Sequence, residues 1–167
     1  ALWHRLTEDG EDAYQAGFAA ALRDFGNHPA ILGFYVGDEP NAAMFADACR
    51  AQRLQREWAP GLAPYLNLFP WADDPQTNMR NTGTTEWPEY LDRYVEQARP
   101  SVISYDCYAQ MKPDCIGLDM YFTNLRYHAE AAARHRLPFW VVPLSVGHFK
   151  YRCPTEDDFR WQINTAV

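Results

Sequence analysis

The chain has 167 residues, of which 47% are hydrophobic and 22% charged, the size and composition of one ordinary globular domain. Its net charge of −7 argues against sequence-independent binding to nucleic acid or anionic lipid, both of which need basic patches. No apolar run approaches the roughly 20 residues of a membrane span. Aromatic residues make up 15% of the chain, more ring surface than a core of this size needs, so part of it is expected to line a cleft. The chain opens on ALWHRL without Met, as a piece of a longer product would.

In chain order, Phe18, Leu22 and Phe25 make a helical stripe before a first strand, ILGFYVG at 31–37. Met44, Ala48, Ala51, Leu54 and Trp58 predict a second helix, and PYLNLF at 64–69 a second strand. The stretch from Pro70 to Trp87 reads as irregular and is too long for an idle connection, so it is expected to overhang a site. Trp87, Tyr90, Leu91, Tyr94, Val95 and Ala98 form the cleanest helical face, followed by a third strand, SVISYDCY at 101–108. Phe122, Leu125, Ala129 and Ala132 predict another helix before the fourth strand, PFWVVPL at 138–144. A last helix starts near PTEDDFRW, with Thr155 as N-cap and Glu156, Asp157 and Asp158 at the positive end of its dipole.

Strict alternation of helix and strand means parallel strands joined by helical crossovers, either an open doubly wound sheet or a (β/α)8 barrel. Three of the four strands read as near-continuous apolar runs, as expected of strands covered on both faces. No GxGxxG or GxxxxGK[ST] follows any strand, which removes support from the nucleotide-binding forms. A complete barrel needs roughly 200 residues or more, so four strands would be about half of one. Cys49, Cys107, Cys115 and Cys153 form no CxxC pair, and the five His are dispersed. Structural thiols are expected and no metal or other cofactor, with a Cys107–Cys115 disulfide left open.

Ligands of both parallel architectures bind at the carboxyl ends of the strands, and polar residues gather there. The first strand ends in Asp38 and Glu39, the second carries Asn67 and runs to Phe69-Pro70-Trp71, the third carries Tyr105, Asp106 and Tyr108, and Gly147 and His148 follow the fourth. Asp38 or Asn41 would suit a helix N-cap; Glu39 would not. Carboxylates beside aromatic rings are the usual chemistry of a sugar site, because rings stack on pyranose faces while acids bind hydroxyls or move protons. Trp71, Tyr105, Tyr108 and Trp140 are the candidate rings, although Trp140, in mid-strand, reads as core.

GDEP at 37–40 resembles the acid/base motif that ends strand four in the large (β/α)8 clan of retaining glycoside hydrolases, where Asn-Glu-Pro is more usual. PYLNLFPW, EWPEYLDRYVEQARPSVISYDCY, LPFWVVPLSVGH and YRCPTEDDFRWQINTAV in turn look like successive β/α units of that clan, closest to the family-42 β-galactosidase-like hydrolases. The resemblance runs from about Asn27 onward. It implies a single α/β domain over residues 1–167, a partial barrel of strands four to seven lacking strands one to three and eight. It also implies hydrolysis of a β-linked glycoside or oligosaccharide with Glu39 as general acid/base, and Asp38 in place of the Asn that bonds a sugar hydroxyl. Asp106 would be the second catalytic carboxyl, and Asn67, Trp71, Tyr105, Tyr108 and His148 would bind substrate. A signal peptide ahead of the segment would make the protein secreted or periplasmic. One departure stands out: the clan's strand-seven nucleophile has no counterpart in WVVPLSVGH, where Pro143, Leu144 and Ser145 occupy the region. That leaves an inverting scheme, or a non-catalytic carbohydrate-binding barrel, as alternatives.

Overall fold

The computed structural model describes residues 2–110 and 118–166. All four predicted strands form, shorter than their apolar runs: β1 (Tyr35–Asp38), β2 (Tyr65–Leu68), β3 (Ile103–Asp106) and β4 (Phe139–Val142). They pair in parallel and in chain order, β1-β2-β3-β4. The approach to β1 already runs beside β2, since Ala63 N donates to Leu32 O at 2.9 Å and Tyr65 N to Phe34 O at 3.0 Å. Gly33 permits this approach: a Cβ there would lie 1.8 Å from Ala63 O. At the outer edge of β1, Trp3 N donates to Val36 O at 2.8 Å and its indole lies over Gly37.

Alternation along the strands separates two faces. Val36, Leu66, Leu68, Ile103 and Tyr105 are fully buried beneath the helices. The opposite face carries Tyr35, Tyr65 and Trp140, with ring centroids 5.3 and 5.4 Å apart in succession. Tyr35, Trp140 and Val142 on that face are 39%, 36% and 39% exposed, so the strands are covered on one face and open on the other, not covered on both.

Helices α3 (Phe45–Trp58), α5 (Trp87–Ala98) and α6 (Leu118–His135) form the covering layer. In α5 the predicted face holds: Trp87, Tyr90, Leu91, Tyr94 and Ala98 are buried. In α3, Ala48, Ala51 and Leu54 are buried, while Met44 stands exposed at the N-cap. Ahead of β1, α1 (His4–Asp9) has no counterpart in the sequence reading, and α2 (Glu11–Phe25) buries Tyr14 and Phe18 while Phe25 is exposed. The face of α6 also differs. Ala132 is buried and Leu125 packs against the core, as predicted, but Phe122 is exposed, and Tyr121, Asn124, His128 and Ala131 are buried as well.

The stretch expected to be irregular contains α4 (Pro75–Thr82). Asp74 caps it by accepting from Gln76 N and Thr77 N, Pro75 opens it, and Gly83 in the left-handed conformation closes it. The last helix, α7 (Glu156–Ala166), begins as expected with a reciprocal cap: Asp158 N donates to Thr155 Oγ1 and Thr155 N to Asp158 Oδ2. Among the described residues no helix is long and apolar enough to cross a membrane. Cys49 and Cys107 are buried thiols and Cys153 is exposed; Cys115, and with it the Cys107–Cys115 pairing, lies outside the described residues.

Candidate functional site

The end of β1 turns a sharp corner. Glu39 adopts φ +42°, a conformation that side chains other than glycine reach only at a cost of about 1–2 kcal/mol. Its backbone N–H is held by Asn67 O at 2.9 Å. The next residues take over the helix entry, with Asn41 Oδ1 accepting from Ala43 N and Met44 N. Asn41, rather than Asp38, therefore ties the turn that leads into α3, whose N-cap residue Met44 has no side-chain cap bond, and Asp38 is left for other work.

That work lies across the strand ends. Asn67 Nδ2 donates to Asp38 Oδ1 at 3.0 Å and to Asp106 Oδ1 at 2.6 Å. Its own oxygen accepts from Ser104 Oγ at 3.2 Å, which fixes the amide with its two N–H groups toward the carboxylates. The Tyr35 hydroxyl bonds Asp38 and the Tyr108 hydroxyl bonds Asp106. Three adjacent strands thus carry one continuous chain of hydrogen bonds, Tyr35–Asp38–Asn67–Asp106–Tyr108.

Glu39 stands outside this chain. Among the described residues no cation pairs with its carboxyl. Burial chiefly, then the negative charges of Asp106 and Asp38, push it up to about 8. Burial also raises Asp106, but the bonds from Asn67 and Tyr108 pull it back. Both carboxyls are thus raised, Glu39 far enough to keep its proton at neutral pH, while Asp106 has donors that offset part of its burial.

Glu39, Asp38, Asp106, Tyr108 and His148 line a common cavity of about 310 Å³ at the strand ends. A second cavity of about 260 Å³ shares Asp38, Asp106 and Tyr108 with it, and continues down the open sheet face past Asn67, Tyr35 and Tyr65. Comparison with protein-family models, curated proteins and solved structures returned no match. What the site can do rests on its own geometry.

Six of the eight residues singled out in the sequence meet here. Two do not. Tyr105 is fully buried on the helical side, its ring stacked 3.6 Å from that of His128. It is the immediate neighbour of Asp106 and β3 alternates, so the two point to opposite faces. Trp71 is tied to α6, donating its N–H to Asn124 Oδ1 at 2.6 Å, with its ring beside Tyr127. From the expected overhang, only Pro70 reaches the cavity wall. Trp140 lies on the open face against Tyr65, not in the helix-covered core.

Cys107 and Met120 also line the wall, and sequence reasoning missed Phe149 and Tyr151 there. They belong to a tight turn closed by Tyr151 N donating to His148 O at 2.8 Å. The signal was present as GHFKY, a glycine with three rings in the next four residues, a few positions after the fourth strand. Among the described residues no three His, Cys, Asp or Glu side chains gather as a metal site requires. The chemistry on offer is proton transfer and hydroxyl recognition.

Proposed function

We propose that this segment is the strand-four-to-seven half of a (β/α)8 barrel, and that it belongs to a hydrolase of β-linked glycosides with Glu39 as general acid/base. The observation that carries the reading is the largely buried Glu39 carboxyl, with no cation paired to it among the described residues, beside two aspartates bridged by Asn67, a setting that raises it to about 8. A carboxyl that keeps its proton up to about pH 8 can protonate a departing glycosidic oxygen at neutral pH. Once ionised it takes a proton from the attacking water. Asp38 and Asp106 retain acceptor oxygens for sugar hydroxyls, and Tyr108 and His148 supply ring faces for the apolar side of a pyranose.

The end of β4 supports a second reading. Leu144 is buried there with both its backbone groups bonded to Gln162, N to Oε1 at 2.7 Å and O from Nε2 at 3.2 Å. No carboxylate stands where a retaining enzyme of the clan has its nucleophile. Either Asp106 acts as base toward water in an inverting reaction, with the two carboxyls roughly 6.5–9.5 Å apart, or the site binds carbohydrate without cleaving it.

Glu39→Gln in the full-length protein separates these. General acid–base assistance is worth about 10²–10⁴ in rate, so turnover of an unactivated β-glycoside falls by that factor while saccharide affinity stays close to wild type. Saccharide binding with no turnover to lose would remove the enzyme reading and leave the binding one.

A further inference from the structure

The polar atoms of the Asn67 side chain are all committed inside the protein. Its two N–H groups go to Asp38 Oδ1 and Asp106 Oδ1, and its oxygen accepts from Ser104 Oγ. Asn67 is 7% exposed and Ser104 is fully buried. An amide so engaged has little left to offer a sugar, whatever its place at the strand ends.

Strand register explains how these groups meet. Asp38, Asn67 and Ser104 are successive partners across β1, β2 and β3. Asp106 lies two residues beyond Ser104, so it shares the open face with them. Asn67 thus reaches along its own row to Asp38 and Ser104, and diagonally to Asp106. Ser104 selects one orientation of the amide. Turned over, the amide would set its oxygen against both carboxylates.

We propose that Asn67, oriented by Ser104, is a positioning residue: it fixes the spacing of Asp38 and Asp106 and gives both carboxylates a donor, leaving Glu39 to carry the proton of the reaction. This rests on the cavity being a glycoside site, and it moves Asn67 from the groups that touch a sugar to those that hold such groups in place. A donor to the charged form favours that form, so without the amide Asp106, already raised by burial, rises further. With less charge on Asp106, Glu39 ionises more readily, because both aspartates help to raise it. The other ionisable groups facing these carboxyls are Tyr35 on β1, Tyr65 on β2, Cys107 and Tyr108 after β3, His148, Lys150 and Tyr151 on the turn after β4, and, within reach of the Glu39 charge, Tyr90 of α5. Burial raises the phenols of Tyr35, Tyr90, Tyr108 and Tyr151 and the Cys107 thiol, so none of these is charged near neutral pH. The Lys150 ammonium lies over the Tyr151 ring, 5.8 Å from its centroid.

The test reads the carboxyl groups directly, by carboxyl-carbon NMR titration of the full-length protein, beside the pH profile of kcat/KM on a β-glycoside. Glu39→Gln identifies the Glu39 signal by removing it. Asn67→Leu keeps the size and removes the donors, so Asp106 should titrate at higher pH than in wild type and Glu39 at lower. The acidic limb of the rate profile should move up and the basic limb down, narrowing the bell from both sides. Misplaced carboxyls should also lower kcat about 10²-fold. Ser104→Ala leaves Asn67 in place but frees the amide to turn, and should move both titrations in the same directions by less. It decides the question if Asn67→Leu does not fold. A merely structural Asn67 would lower Tm and leave both titrations unmoved; that result, or wild-type titrations in Ser104→Ala, would overturn the assignment. Shifted titrations in a protein that cleaves no glycoside would leave the positioning of the carboxylates standing and remove the hydrolase reading. Turnover with unshifted titrations would do the reverse.

Discussion

Asn67 and Glu39 divide the electrostatics of the strand ends between them. A neutral amide with both N–H groups committed lets two aspartates share a confined space, and the anionic field they set up falls on Glu39, whose carboxyl accepts no hydrogen bond from the described residues. The raised value of Glu39 has a consequence for stability as well as chemistry. In the unfolded chain it titrates near 4.5, and in the folded protein near 8, so the folded state holds the proton more tightly. Its contribution is full below pH 4.5, declines as pH rises, and is lost above pH 8. Glu39→Gln cannot ionise, so its Tm should match wild type below pH 4.5 and exceed it above pH 8 in parallel thermal scans. A wild type as stable as the variant at the alkaline end would mean that Glu39 is not buried against the two aspartates.

At the scale of the element, α6 shows how a polar residue can occupy a core position. His128 is wholly buried, stacked on Tyr105, with Nδ1 bonded to Asn124 O at 2.8 Å. Burial lowers it from 6.5 to about 4, so it is neutral in the folded protein while the unfolded chain takes up a proton below pH 6.5. Stability is therefore lost as pH falls from 6.5 toward 4. His128→Phe keeps the stacked ring and removes the proton uptake. Urea unfolding should then lose less stability over that interval than in wild type, and an unchanged acid slope would contradict the assignment. The same residue explains a misreading. Apolar periodicity located α5 correctly because Trp87, Tyr90, Leu91 and Tyr94 are all rings or branched carbon, but in α6 the inward positions include Asn124 and His128, so the apolar stripe pointed to exposed Phe122. Likewise the four strands were legible as apolar runs, and Asp38, Glu39 and Asp106 as acids at their ends. Tyr105 and Trp71 were misassigned because residue type does not report which face of a strand or which helix a ring meets. Phe149 and Tyr151 were missed because a turn closed by one backbone bond has no periodicity.

For the whole molecule, the dominant feature is a parallel sheet with one face under helices and the other carrying exposed Tyr35, Trp140 and Val142. Among the described residues both outer strands have unpaired edges apart from the Trp3–Val36 bond. A net charge of −7 opposes association, but it does not cover an apolar face. The isolated 167-residue chain should therefore self-associate with concentration and bind a hydrophobic dye, measured by sedimentation and fluorescence. A dilute-to-concentrated series that stays monomeric and dark would show that this sheet face is not open to a partner or a dye. The order β1-β2-β3-β4 bears on how the chain reaches this state. Among the described residues each strand pairs only with its neighbours in chain order, across crossovers of roughly 26 to 34 residues whose closure entropies differ by only a few tenths of a kcal/mol. No strand waits for a distant partner to be synthesised. A nascent chain can add one strand and its covering helix at a time as it leaves the ribosome, each unit laid down on an edge already formed.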